Sequence, residues 1–542
     1  MKRSRFLAFF VAGALTLSFL SCSDNNTDVP RQSRVRDKEK EFAIGQSYAE
    51  TDFSFSSDVD IDDVSEVVNR LLEDIEKKDN SAAVSDDISE LLRLYDELYE
   101  ANTYKEIEFY THYSDEATEK EYNEVYRQLY VAGDLIDYGF VQGYISDYAD
   151  LFKDLVTAET VTLYEDAGYD IEAAIEESEA SFDDLAENRG KYYDIIDDDS
   201  LSEKEKDIEC AKILIELLKE YDTDTLYSQY DRDYTGEEIL ALGDVIKKEL
   251  IPVSDVLLDA YLDKIDWTSY FSGTEGCDEP FEVVRQYAGQ LSPDIQKSAD
   301  RICDEHLYKI CSNDDAFEGA FTDELPLQDS ALIFMGSLSS DQRLSTAIHE
   351  FGHFHATFYD DTPTYLSKNN IDIAEIQSQG LELLYTQFYD DIYGNNGDFK
   401  RLEYAIDLLD SVISGYLVGE FEYTSVRDID TITPEEMVDR FNGLFDEYFD
   451  SFHLYMISHL FESPGYYISY STSALASFDL IDDVTEAPDK ALEKYEKMAK
   501  ISCNSGEYTF REALSACGFS DVLTADYIRQ LAAYLRDYAD KL

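Results

Sequence analysis

His349-Glu350-Phe351-Gly352-His353 reads HEFGH, an instance of the pattern H-E-x-x-H. On a helix, residues four apart share a face, so both imidazoles can turn a nitrogen toward one metal ion. Glu350 follows the first histidine and can reach a metal-bound water as a general base. Five residues therefore point to a zinc hydrolase on a helix, provided that the neighbouring sequence supplies the rest of the site.

A hydrolytic zinc ion normally takes three protein ligands and leaves one position open to water. The leading candidate for the third is Glu375, in Ile373-Ala374-Glu375-Ile376-Gln377-Ser378. It follows His353 at a distance that allows a loop and an antiparallel helix to bring it back. Glu382 lies two helical turns further on, on about the same face. It is a second carboxylate able to orient a ligand histidine, or a fallback third ligand. Upstream, the apolar run Ala331-Leu332-Ile333-Phe334-Met335 reads as a strand ended by Gly336 and Ser337 to Ser340. The spacing predicts a helix from near Asp341 to about Phe358 and another from Ile371 to Tyr389. Further helices are expected from Thr433-Pro434, where threonine caps and proline occupies the first turn, and over Gly465 to Asp479 and Val522 to Leu542.

The segments His349 to Ala356, Ala374-Glu375-Ile376-Gln377-Ser378 and Glu382-Leu383-Leu384 together resemble the oligoendopeptidase F branch of the thimet oligopeptidase family. Leu332 to Gly336 and Leu344-Ser345-Thr346 are similar to that family's strand and its lead into the zinc helix. The resemblance covers about 330 to 480. It implies a mostly helical zinc metallopeptidase that cleaves short peptides in a deep channel, with His349, His353 and Glu375 on Zn2+ and Glu350 as the base. A further match, His459-Leu460 and then Gly465-Tyr466-Tyr467-Ile468-Ser469-Tyr470, resembles the family's histidine and tyrosine cluster. By that resemblance Tyr467 and Tyr470, with His459, grip substrate and donate hydrogen bonds to the developing oxyanion. The spacing from His459 is one residue off the family's. Where the family carries a histidine three positions after the second ligand, this chain has Ala356. His355, one residue earlier, lies on a different side of the helix and reads as exposed or structural. His112, His306 and His453 join no constellation and read as structural.

The composition agrees with a large globular protein. The 542 residues are 44% hydrophobic and 13% aromatic, with 42 tyrosines, while glycine (24) and proline (9) are too scarce for an all-β architecture rich in turns. The 118 acidic and 44 basic residues leave a net charge of −74. That field repels nucleic acid. Either it keeps the surface solvated, or it also attracts cationic peptides.

The N-terminus carries basic Lys2, Arg3 and Arg5, then an apolar stretch from Phe6 to Leu20, too short for a comfortable transmembrane span. It ends in Phe19-Leu20-Ser21-Cys22, followed by polar residues. This resembles a bacterial lipoprotein signal with lipid on Cys22, although Phe19 stands where leucine is usual. The alternative is ordinary cleavage and release. Either route places the protein outside the cytoplasm, and the first anchors it to the membrane. Six further cysteines, Cys210, Cys277, Cys303, Cys311, Cys503 and Cys517, permit disulfides there or are buried thiols. Cys303/Cys311 and Cys503/Cys517 are the pairs closest in sequence.

The expected organisation is a signal segment (1–22), a polar tether (23–60), an acidic helical lobe (61–270) and a catalytic lobe (271–542). In the acidic lobe Ser202 and Glu205 fit a capping box, and Pro252 should start or kink a helix. The fold class is mainly α, two-lobed, with a deep cleft and a small β element beside the zinc helix. The function read from the sequence is zinc-dependent hydrolysis of short peptides. A helical H-E-x-x-H carboxypeptidase is the nearest alternative. The other is a non-catalytic surface lipoprotein that binds peptides or a partner in a similar cleft.

Overall fold

The computed structural model describes residues 59–542 apart from 165–170, 199, 265–278, 312–314, 340–341, 446–447 and 450–451. The expected signal segment with Cys22, the expected tether up to residue 58, and Cys277 lie outside the described residues. The architecture is mainly α-helical with one three-stranded sheet.

Helix α1 (Ile61–Ile75) begins where the Asp60 carboxylate accepts hydrogen bonds from the Asp62 and Asp63 amides, at 3.0 and 3.2 Å. This satisfies donors that the first helical turn leaves without partners. Val64, Val67, Val68 and Leu71 recur at helical spacing and are buried. They pack with α2 (Ser81–Thr111) and α3 (Glu116–Tyr144) into a core of their own. At 31 residues α2 is roughly 46 Å long, so its second half runs on past this bundle. There Tyr104, Ile107, Phe109 and Tyr110 join a second, larger core formed mostly by residues beyond 190. One helix thus belongs to both cores and forms a wall between them.

Helix α4 (Glu203–Leu218) has the expected capping box: Ser202 Oγ accepts from the Glu205 amide, and Glu205 Oε2 accepts from the Ser202 amide at 2.9 Å. At Pro252 the chain inserts a π-helical turn, Ile246–Leu250, directly before the helix Ile251–Lys264. A wider turn is one way to accommodate a residue that cannot donate a backbone hydrogen bond.

The sheet has the order β1-β3-β2, from β1 (Tyr308–Ile310), β2 (Ala320–Leu325) and β3 (Ser330–Met335). β1 runs parallel and β2 antiparallel to β3, with Phe321 opposite Phe334. The central strand β3 is buried along its whole length, which is why it reads as an unbroken apolar run. Helix α5 (Arg343–Thr357) lies against β2, β3 and α6 (Ile371–Tyr385). α6 in turn packs on α8 (Ile468–Ser477), which lies against α7 (Gly397–Arg427).

Several helix bounds differ from those expected. α6 ends at Tyr385, because the chain tightens into a 3-10 turn at Thr386–Phe388. α8 starts at Ile468, since Gly465 adopts φ +81°, a left-handed conformation that interrupts a helix. The last helix runs over Ala525–Lys541, capped by Thr524. Cys210, Cys303, Cys311, Cys503 and Cys517 are free thiols, so neither near-neighbour pair is joined. Among the described residues no helix is long and apolar enough to cross a membrane.

Candidate metal centre and its cavity

The two histidines of HEFGH project from one face of α5, their ring centroids 5.1 Å apart. Glu375 comes from α6, and ligand atoms of His349, His353 and Glu375 lie within 4.8 Å of one another. The close approach of these helices is written in the motif itself. A Cβ added at Gly352 would sit 2.5 Å from the Ser378 Cα and 2.8 Å from the Gln377 carbonyl oxygen. Only glycine lets α5 lie this tightly on the turn that carries Glu375.

Two of the three donors are held by specific partners. His349 Nδ1 is 2.7 Å from Glu382 Oε1, which directs its other nitrogen, Nε2, to within 3.5 Å of Glu375 Oε2. Glu382 thus orients a histidine instead of joining the triad. Ser378 Oγ donates to the Glu375 carboxylate at 3.3 Å. Nε2 of His353 is buried and has no hydrogen-bond partner among the described residues. A buried nitrogen without a partner is costly unless something coordinates it. Two imidazole nitrogens and one carboxylate form a donor set suited to a divalent transition metal, with room for further ligands.

Electrostatics support a cation here. Burial disfavours charge on His349, but its bond to Glu382 and the fields of Glu382, Glu375 and Glu350 outweigh that, holding its pKa up at about 10. The same three carboxylates favour a cation beside the ring. His353, deep in the same site, is pushed well below the usual histidine range by burial and by His349. Glu350 is 2% exposed, and burial raises its carboxyl to about 7 against the opposing effects of His349 and Thr322. Thr322, on β2, donates to Glu350 Oε2 at 2.8 Å and fixes the carboxylate beside the triad. The H-E-x-x-H pattern gives no hint of Thr322.

His353 and Glu375 line an open cavity of about 990 Å³, mouth included, whose walls also carry Tyr99 of α2, Thr322 of β2 and Tyr466. The cavity therefore lies where the small bundle meets the larger core. Of the tyrosine cluster, Tyr466 lines this cavity, although the family resemblance singled out Tyr467 and Tyr470. Tyr470 stacks edge-on against Tyr466 at 5.5 Å, with its hydroxyl 3.3 Å from His459 Nε2. Tyr467 is not part of the cavity wall, and its hydroxyl lies beside Ser414 of α7. His459 is 2% exposed and packs against all three rings, and burial lowers it to about 3. His355 is buried, with Nδ1 2.8 Å from Ser298 Oγ and its ring near Phe351 and Tyr495, a packing role away from the triad.

The sequence matches no protein-family model and no curated protein. The fold, however, is that of a group of mainly helical peptidase structures. A structure described as oligoendopeptidase F superposes with a TM-score of 0.72 over 90% of this chain and 98% of its own, at 14% identity. PZ peptidase A, solved with an inhibitor, gives 0.70 over 90% and 99% at 12% identity. A protein described as oligoendopeptidase F from Bacillus anthracis gives 0.70 over 92% and 99%, also at 12% identity. The chain has the oligoendopeptidase F fold along nearly its whole described length.

Proposed function

We propose that this protein is a zinc-dependent peptidase of the oligoendopeptidase F kind that hydrolyses short peptides in the cavity beside His353. The observation that carries this reading is the convergence of His349, His353 and Glu375 within 4.8 Å, next to a buried Glu350. The shared fold agrees with it. His349 Nε2, His353 Nε2 and a Glu375 oxygen would hold the ion. When bound, zinc supplies Lewis acidity that acidifies water and polarises a peptide carbonyl.

Glu350 is the group that moves the proton. Thr322 occupies its Oε2, so Oε1 is free to take the proton of the attacking water and return it to the leaving amine. Burial, which favours the protonated carboxyl, helps it to hold the proton between the two transfers. Tyr466, on the cavity wall, and Tyr470, against its ring and within the field of Glu375, would donate to the oxyanion. Tyr467 and His459 support those two rings by packing. The Cys22 sequence supports a lipid-anchored, extracytoplasmic protein, and a Cys22→Ala variant still found wholly in the membrane fraction would overturn that placement.

The test is cleavage of a quenched-fluorescent peptide library with and without chelator, together with metal analysis. Glu350→Gln should retain one metal per chain and lose about 1,000-fold or more in turnover. Comparable cleavage by variant and wild type would rule out the mechanism.

A further inference from the structure

We infer that Arg232 is a positioning residue that locks the tyrosine wall to the metal-bearing helix, holding Tyr466 at its distance from Glu375. The inference rests on the peptidase reading above and adds a residue far from the zinc motif.

The Arg232 side chain is fully buried. Its fork reaches three directions at once. Nη1 donates to the Gly465 carbonyl at 2.7 Å, Nη2 donates to Ser469 Oγ at 2.6 Å, and Nε faces Asp372 Oδ2 at 3.4 Å. Gly465 and Ser469 bracket Tyr466, whereas Asp372 sits in the first turn of α6, one turn before Glu375. One planar group therefore touches both halves of the site. The rings of Tyr227, Tyr230 and Tyr234 surround the guanidinium at 4.6–5.8 Å, which helps to stabilise its charge away from water.

The partners are fixed in turn. Asp372 accepts from the Tyr234 and Thr472 hydroxyls, each at 2.8 Å, so the carboxylate cannot drift from α8. Tyr466 has little helical support of its own, because it precedes α8 and follows the left-handed Gly465. Stability alone does not account for so costly a group, since apolar residues often replace a buried ion pair without loss. Arginine's gain is geometric: a rigid fork fixes two hydrogen bonds to the tyrosine wall while its charge faces Asp372, which lysine's single ammonium cannot do.

The test is a double-mutant cycle on turnover of a peptide substrate, with metal content and hydrogen exchange measured in parallel. Arg232→Met should lower kcat by about 10- to 100-fold, leave KM within about threefold and keep one metal per chain. In a Tyr466→Phe background the same change should cost less than about threefold, because the residue acts through that hydroxyl. Ser469→Ala, a gentler cut to the same grip, should show a smaller loss that also vanishes in the Phe background. Arg232→Lys should not restore the rate. Amides of 465–470 should exchange faster in the Arg232 variants while those of 371–385 keep their protection. Additive losses in the cycle, or unchanged exchange at 465–470, would overturn the inference. Zinc-loaded wild type that cleaves no peptide would instead sink the peptidase reading, and the exchange result would still report on the lock.

Discussion

The two halves of the site are built by different rules. The metal corner is local: His349 and His353 are one turn apart on α5, and Glu375 and Glu382 are two turns apart on α6, the next long helix. Helical periodicity alone places them, and Gly352 brings the two helices together. The tyrosine wall is the opposite case. Its loop, Pro464 to Tyr467, is held by Gln229, Tyr230 and Arg232 from more than 200 residues earlier, and by Glu422 of α7. A motif can write the first; the second depends on distant polar groups meeting. Breaking each half should therefore fail differently. Gly352→Ala is expected to do the most damage. Its methyl group has backbone, not a mobile side chain, at 2.5 Å, so α5 and α6 must separate at a cost of about 1–3 kcal/mol. Metal content and activity should fall together. A variant that holds a full equivalent of metal would show that the helix contact does not set the triad.

A smaller effect is expected one shell out. Glu382→Gln keeps an oxygen for the His349 Nδ1 proton but removes the charge behind it. Metal affinity should drop about 10- to 100-fold, read by competition with a chromophoric chelator. Unchanged affinity would mean that the orientation of His349 is set by packing alone.

The same contrast decides what could be read from the sequence. HEFGH, Glu375 and Glu382 are legible because a 3.6-residue period converts spacing into direction. The central strand is legible because a strand covered on both faces must be apolar throughout. The Ser202 capping box is legible because both partners lie within one turn. Tyr466 was hidden among adjacent tyrosines: Gly465 at φ +81° delays the start of α8, and the direction of each ring depends on where that helix begins. Thr322 and Arg232 reach their partners across 28 and more than 230 residues, respectively. No local pattern marks either one. Glu382 resolves in favour of orienting His349, a choice that its spacing alone left open.

The smallest effect on metal binding or turnover is expected where the tyrosine wall is changed without touching the chemistry. Glu422 is 1% exposed, and its Oε1 accepts from the Gly465 amide at 2.6 Å. Burial raises its carboxyl to about 8, although the Gly465 hydrogen bond and the nearby Arg232 both favour ionisation. The unfolded chain ionises near 4.5, so between pH 4.5 and 8 the folded state holds more protons than the unfolded one. Stability contributed by this group therefore falls as pH rises through that window and then levels off. Glu422→Gln keeps the acceptor for Gly465 and removes the titration. The Tm of the variant relative to wild type should rise steadily from pH 4.5 to 8 and stay flat above it, with metal content matching that of wild type at each pH. A difference that stays constant across the window would mean that the Gly465 amide and Arg232 fully compensate the buried carboxylate. The wall would then be held by an ion pair instead of by a carboxyl that prefers its proton.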